Sequence, residues 1–405
     1  MKALQFNVTI PQWVALKALG ACTKSVFYKS PIGTLKLVEI PEPEPINNNW
    51  AIVKTTYCGF CGSDFNLILL HDSPMASPFT SFPCVIGHEV CGTIEEPGNT
   101  GFKKGQRVVI NPMLSCAVRQ LPLCPSCKKG RPANCENFAN GTIAPGMFTG
   151  ICKDVNGGFA EYLPAHRAQL FAIPGSISDK AAVLTEPLSV ALQAIYDNMP
   201  QHSDTVCIIG CGVIGLMLVR ALRALNCKAT IAVIEPSEFH RQKALSLGAN
   251  AIVQGDLLEH AATFTSGKVY TPMFGPKILQ GGFDRVFDTV GSSKTFSLAI
   301  NIARAGGVVS LVGITSKLSY DPTPLWLKLL TVKGVYGYGF IREGSKTKHI
   351  FAKALELMKK MPDIETMVTH TFSIDQYKEM IEVNSNKGAH KAIKTVVAFQ
   401  DTSTQ

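Results

Sequence analysis

No segment of this 405-residue chain repeats another, none is of low complexity, and its basic residues never gather into a long run. Those absences argue against a repeat architecture, a disordered chain and a nucleic-acid groove lined by a basic stripe. The N-terminal stretch lacks the charged-then-apolar layout of a secretory signal, so thirteen cysteines point to reduced thiols in a cytoplasmic protein instead of a disulfide framework. Nor is there an unbroken apolar stretch of membrane-spanning length. The richest window, 208–227, is interrupted by Gly210, Gly212, Gly215, Arg220 and Arg223 and reads as strand, glycine turn and helix.

What is present is core-forming. Hydrophobic residues make up 46% and charged residues 17%, the balance of a compact globular protein. A chain of this length exceeds what one core supports, so two domains are expected. The net charge of +9 gives a mild attraction for anionic molecules such as dinucleotides.

The texture changes near residue 196. Before it, short β-type runs at 50–57, 84–94, 106–111 and 159–163 are punctuated by Gly and Pro, which predicts an irregular, loop-heavy β domain over 1–195. From 196 to 335, apolar runs at 205–209, 228–234, 251–253, 285–288 and 307–313 alternate with helical patterns, the signature of a doubly wound α/β parallel sheet. A helix over 349–359 and strands at 368–373 and 392–398 predict that 336–405 return to the first domain.

The segment VCIIGCGVIGL places Gly210, Gly212 and Gly215 in G-x-G-x-x-G spacing between a strand and a helix. That arrangement serves a tight turn, close approach of backbone to a pyrophosphate, and close helix–strand packing. The next strand ends at Glu235, where a carboxylate suits the ribose hydroxyls of NAD and repels a 2′-phosphate. His240 and Arg241 nearby leave NADP open; an ordinary glycine turn with a surface Glu is the competing reading.

Two groups of residues carry metal chemistry. Cys61 in CGFCGSD, His88 and Glu89 in PCVIGHEVCG, and Glu186 in LTEPLSVALQA offer the mixed S, N and O donors of a catalytic zinc site. Taken singly, a buried Cys is more often a small hydrophobe and a Glu before Pro a helix-start acid. In the lobe over 112–138, Cys116, Cys124, Cys127 and Cys135 are spaced C-x7-C-x2-C-x7-C, which suits a closed structural zinc site; a disulfide pair is the alternative.

In these residues the chain resembles the zinc-containing medium-chain dehydrogenases, particularly the sorbitol and threonine (polyol) dehydrogenase branch. CGFCGSD at 58–64, GHE at 87–89, the cysteine lobe, GGFAEY at 157–162, EPLSVALQA at 186–194, GCGVIG at 210–215 and DTVG at 288–291 follow in the family's order. The resemblance implies a GroES-like irregular β domain joined to a Rossmann domain. It implies a catalytic zinc on Cys61, His88, Glu89 and Glu186, and a structural zinc on the four lobe cysteines. Val213, Ile214, Val290, Gly313 and His240 would stand with Gly210, Gly212, Gly215 and Glu235 around NAD. The implied reaction passes hydride from an alcohol or polyol carbon to the nicotinamide, with zinc as Lewis acid and Ser63 taking the hydroxyl proton. A homodimer or homotetramer, with no nucleic-acid or membrane partner, is implied too.

Three departures from the family pattern stand out. Five extra residues separate Cys116 from Cys124, a relay histidine is replaced by Asn66, and Gln106 replaces an acid before Arg107. Two rivals frame the reading: a zinc-free NADPH quinone or enoyl reductase on the same fold, and a non-catalytic protein that kept the fold.

Overall fold

The computed structural model describes residues 1–314 and 317–399. The chain divides into two compact units, one of Met1–Glu186 with Gly337–Gln405, the other of Pro187–Tyr336.

The first unit is built on a seven-stranded sheet whose centre is the Trp50–Phe60 strand. Its sequence, WAIVKTTYCGF, is dense in β-branched and aromatic residues, and all but two of its eleven positions are buried. Across the sheet run Val368–Phe372, Lys394–Ala398, Trp50–Phe60, Glu89–Glu96, Arg107–Ile110 and Leu170–Ala172, while Tyr162–His166 pairs with Trp50–Phe60 beside them. The tail therefore completes the first sheet, with Lys394–Ala398 lying antiparallel to the end of Trp50–Phe60.

The apolar run at 84–94, expected as one strand, is two. Cys84–Val85 pairs with Lys2–Phe6, and Glu89–Glu96 joins the large sheet. The chain leaves strand geometry between them, and that break is where His88 sits.

The helix Ile10–Leu19 was not expected from a β-type texture. It lies in the connection between two paired strands, Lys2–Phe6 and Leu35–Glu39. Its start signal is nevertheless written in the sequence: Thr9 caps it, Pro11 sits in the first turn, and Gln12 returns a side-chain bond to the Thr9 amide.

In the second unit six strands are all parallel, in the order Ala251–Ile252, Thr230–Ile234, Thr205–Ile209, Phe283–Asp288, Ala303–Leu311, Thr331–Gly334. Numbered along the chain, this is the 3-2-1-4-5-6 order of a doubly wound sheet, and the order reverses beside Thr205–Ile209. The helix Val213–Ala224 buries Leu216, Met217, Leu218, Val219, Ala221 and Leu222, so it is apolar on more than one face and packed accordingly. Each of the Leu, Met and Val side chains contributes roughly 1.5–3 kcal/mol on burial.

Candidate active site and metal centres

The antiparallel register of the first sheet sets Glu89 opposite Gly59, two residues before Cys61. A side chain at 59 would bring its Cβ within 2.1 Å of Glu89 Oε2, so glycine there makes room for the carboxylate. Cys61 caps the helix Gly62–Ile68 in extended conformation, and Asp64 Oδ2 accepts from its amide at 2.9 Å. With His88 delivered by the break between strands, the ligand atoms of Cys61, His88 and Glu89 all lie within 4.8 Å of one another.

Each of the three is held by a partner. His88 is buried, its ring edge-on to Phe148, with Nδ1 3.3 Å from Asp64 Oδ1 and Nε2 3.5 Å from Ser63 Oγ. Burial alone would disfavour its protonated form, but the Asp64 carboxylate and Cys61 outweigh that and raise its pKa well above the ordinary imidazole value. Both Glu89 oxygens accept from Lys394 Nζ at 2.6 Å, and Lys394 also donates to Phe60 O at 3.1 Å. Lys394 and Glu89 are both fully buried. Burial opposes the lysine's charge, yet Glu89 and Cys61 lift its pKa above the usual range.

Glu186 stands apart from this group. It opens the helix Thr185–Asp197, and its Oε1 accepts from Tyr338 Oη at 3.0 Å. Burial pushes its pKa up to about 7; His88 opposes that rise and Glu89 adds to it. Those couplings put its charge near the three, although its oxygens are not among the atoms that meet.

The cysteine lobe brings together all four of its thiols, again within 4.8 Å. Cys116 Sγ and Cys135 Sγ are 3.5 Å apart, against about 2.05 Å for a disulfide. Backbone amides of Cys124, Cys127, Glu136 and Asn137 and the Asn137 side chain donate to these sulfurs, which favours thiolates, while burial works the other way and pushes Cys127 up and Cys135 to about 11. Burial raises the Cys124 pKa, but the amides of Glu136 and Cys127 outweigh it and leave about 7. The five extra residues do not displace Cys116, because Arg119 within them is buried and its guanidinium donates to the carbonyls of Leu114, Asn140, Ile143, Ala144 and Gly146. One closed set of four sulfurs and one mixed set of S, N and O are the donor chemistries of a structural and a catalytic zinc respectively.

In the second unit Gly210, Glu235, Val290 and Gly313 each lie just past the C-terminal end of a parallel strand. Gly212 caps the helix that begins at Val213 and Ile214, and a Cβ on Gly215 would meet Gly210 O at 1.9 Å, so strand and helix touch there. Glu235 accepts from the amides of Cys211 (2.7 Å) and Ser237 (2.8 Å), which anchors its carboxylate against the glycine turn. Arg241 is committed to Glu238 and to the carbonyls of Glu235 and Pro236. His240 is buried, with Nδ1 on Ser237 Oγ at 2.9 Å.

Residues 47–175 match the family model of the alcohol dehydrogenase GroES-like domain, and 213–360 match that of the zinc-binding dehydrogenases. Together the two models span more than half of the chain. It belongs to the zinc-binding alcohol dehydrogenase family. Sorbitol dehydrogenase of Bacillus subtilis is 27% identical over 86% of this dehydrogenase and 90% of its own length. L-threonine 3-dehydrogenase of Francisella philomiragia is 28% identical over 89% and 95%. Among solved structures, 2R,3R-butanediol dehydrogenase of Bacillus subtilis superposes with TM-score 0.71 at 27% identity, covering 90% of this chain and 96% of that one. A protein of Sinorhizobium meliloti 1021 solved with NADP superposes with TM-score 0.70 at 27% identity, over 98% of both chains. The family member described here is accordingly an NAD(P)-linked oxidoreductase that moves hydride at a secondary alcohol carbon. No helix among its described residues is long and apolar enough to cross a membrane.

Asp64, Lys394 and Arg119 are not singled out by the sequence, and Tyr338 only as part of the stretch Tyr336–Ile341 expected to shape the substrate pocket. Asp64 lies inside the CGFCGSD motif and could have been found there. Lys394 and Arg119 carry no such signal, and only the folded chain brings them and Tyr338 to their partners.

Proposed function

We propose that this dehydrogenase oxidises a polyol, a sugar-like alcohol or an amino alcohol with NAD, at a zinc held by Cys61, His88 and Glu89 with Glu186 alongside. The convergence of three unlike donors from separate segments within 4.8 Å carries this reading. It also disfavours a zinc-free reductase, which has no use for such a group. When bound there, zinc supplies Lewis acidity, lowering the pKa of a hydroxyl presented to it. Asp64 orients the His88 ring, and Lys394 balances the Glu89 charge in a setting too dry to leave it alone. Ser63, next to His88, takes the hydroxyl proton toward solvent, while Asn66 offers no titrating group at the outer end of that path.

The cofactor is assigned to Gly210, Gly212, Val213, Ile214, Gly215, Glu235, Val290 and Gly313, with the pyrophosphate at the helix N-terminus. Preference for NAD is supported by the anchored Glu235 carboxylate and by Arg241, whose donors are already engaged. A second zinc is assigned to Cys116, Cys124, Cys127 and Cys135. The substrate class follows the carboxylate in the donor set and the sorbitol and threonine dehydrogenases among the relatives. All thirteen cysteines are free, which fits a reducing cytoplasm, and the assembly is assigned as a homodimer or homotetramer by family likeness alone.

Metal quantification beside a panel of polyols and amino alcohols tests this directly. Two zinc ions per chain and NAD-dependent oxidation are expected, with turnover lost in His88→Ala while NAD still binds. A His88→Ala enzyme that keeps substantial turnover overturns the assignment.

A further inference from the structure

We propose that Tyr338 is a positioning residue of the reaction centre: its hydroxyl fixes the Glu186 carboxylate beside, and outside, the Cys61–His88–Glu89 group, and the cysteine lobe sets its own place. This rests on the functional reading above and deepens it.

The first half stands on one bond and its surroundings. Tyr338 is 1% exposed and Glu186 7%, and the phenol donates to Oε1 at 3.0 Å. The ring of Tyr338 is pinned edge-on against Phe351, with centroids 4.9 Å apart. A glutamate side chain has three rotatable bonds, so an unheld carboxylate samples several positions. A rigid, buried phenol restricts that freedom without adding charge. Phe at this position would fill the same space and leave the carboxylate unheld.

The second half concerns what holds Tyr338. The amide of Phe340 donates to Gly130 O at 2.8 Å. A Cβ on Gly339 would meet that same oxygen at 2.3 Å, and one on Gly337 would meet the Ala133 methyl at 2.6 Å. The backbone on both sides of Tyr338 is thus wedged against residues 130–133, which lie between the lobe ligands Cys127 and Cys135. A path of direct contacts runs from the lobe thiols through 130–133 and 337–340 to Tyr338 and Glu186. The lobe then does more than stabilise the fold: through Tyr338 it fixes Glu186 beside the Cys61–His88–Glu89 group.

The test compares Tyr338→Phe, Gly339→Ala and the double variant in the full chain, with zinc bound and with cobalt exchanged for zinc at the reaction centre. Tyr338→Phe is expected to keep both metals and to shift the cobalt d–d absorption. It should lower kcat by about 10- to 100-fold while NAD affinity is unchanged, the range found when an outer partner of a metal site is lost. Gly339→Ala should shift the spectrum in the same direction, and the double variant should go no further, since the two act in series. Ala133→Gly, which removes the methyl wedged at Gly337, is the milder variant if Gly339→Ala does not fold, and a smaller shift of the same kind is expected.

A Tyr338→Phe enzyme with wild-type spectrum and kcat reduces Tyr338 to packing and overturns the proposal. Additive effects in the double variant, or no effect of Ala133→Gly where it replaces Gly339→Ala, remove the link to the lobe. Failure of the wild type to bind cobalt through Cys61 or to oxidise any alcohol sinks the functional reading instead. The two failures are therefore distinguishable.

Discussion

The two cysteine-bearing groups of the first unit assemble in opposite ways. The lobe draws four like donors from one short stretch, and its sulfurs are satisfied by amides of that stretch. The Cys61–His88–Glu89 group draws three unlike donors from a strand end, a break and a strand start, and its supports come from far along the chain, Lys394 above all. A local, closed set suits stability; a dispersed, mixed set ties chemistry to the whole domain.

The comparison breaks most visibly at the lobe. If the lobe thiols hold zinc as proposed, Cys124→Ser should release one zinc per chain and cause the largest fall in Tm, because such a metal is worth on the order of 10 kcal/mol in small zinc domains. Calorimetry with metal counting reads this, and an unchanged Tm would mean that the lobe is not held by metal. At the reaction centre the effect should move from stability to rate. Cys61→Ser is expected to lower turnover by more than the ~100-fold that loss of an outer partner costs, with a smaller change in Tm than at the lobe and NAD binding retained. Equal losses of Tm in the two variants would erase the distinction.

Lys394→Met sharpens the dependence on distant support. It strands a buried carboxylate and should cost about 3–5 kcal/mol in urea unfolding. A double change, Lys394→Met with Glu89→Leu, should recover most of that stability while remaining inactive.

The smallest effect is a pH dependence belonging to neither group. His166 and His349 each accept a backbone amide at Nδ1, from Ala168 and Phe351, both at 3.2 Å. Burial, joined at His166 by Arg167, lowers both pKa values to about 4. Below about 6.5, the ordinary imidazole value, the unfolded chain binds protons that the folded chain refuses. Stability contributed by the neutral rings is therefore complete above that pH and lost as it falls toward 4, by on the order of 1–3 kcal/mol. Stability that stays flat across this window in wild type and in His166→Gln alike would contradict it.

Most of the fold was legible because its periodicities are strong. The parallel sheet announced itself through alternating apolar runs and a glycine turn, and the core strand Trp50–Phe60 through its β-branched residues. The Ile10–Leu19 helix was missed because its residues bury only Leu16 and show no clean apolar stripe, leaving the cap as the sole signal. Of the site, Cys61, His88 and Glu89 could be read from motifs with fixed local spacing. For Glu186 the spacing of EPLSVALQA says nothing of which way the side chain turns, and in the fold its Oε1 meets Tyr338 Oη. Lys394 is a lone lysine in a strand, where nothing in the sequence separates a buried counter-charge from an exposed one.

The Glu89–Lys394 pair also imposes an order on biosynthesis. The ribosome releases Glu89 long before residue 394, so throughout synthesis of the second unit the nascent first unit carries an acid whose counter-ion does not yet exist. The Cys61–His88–Glu89 group thus gains its counter-charge only with Lys394–Ala398, the last strand of its sheet to be made.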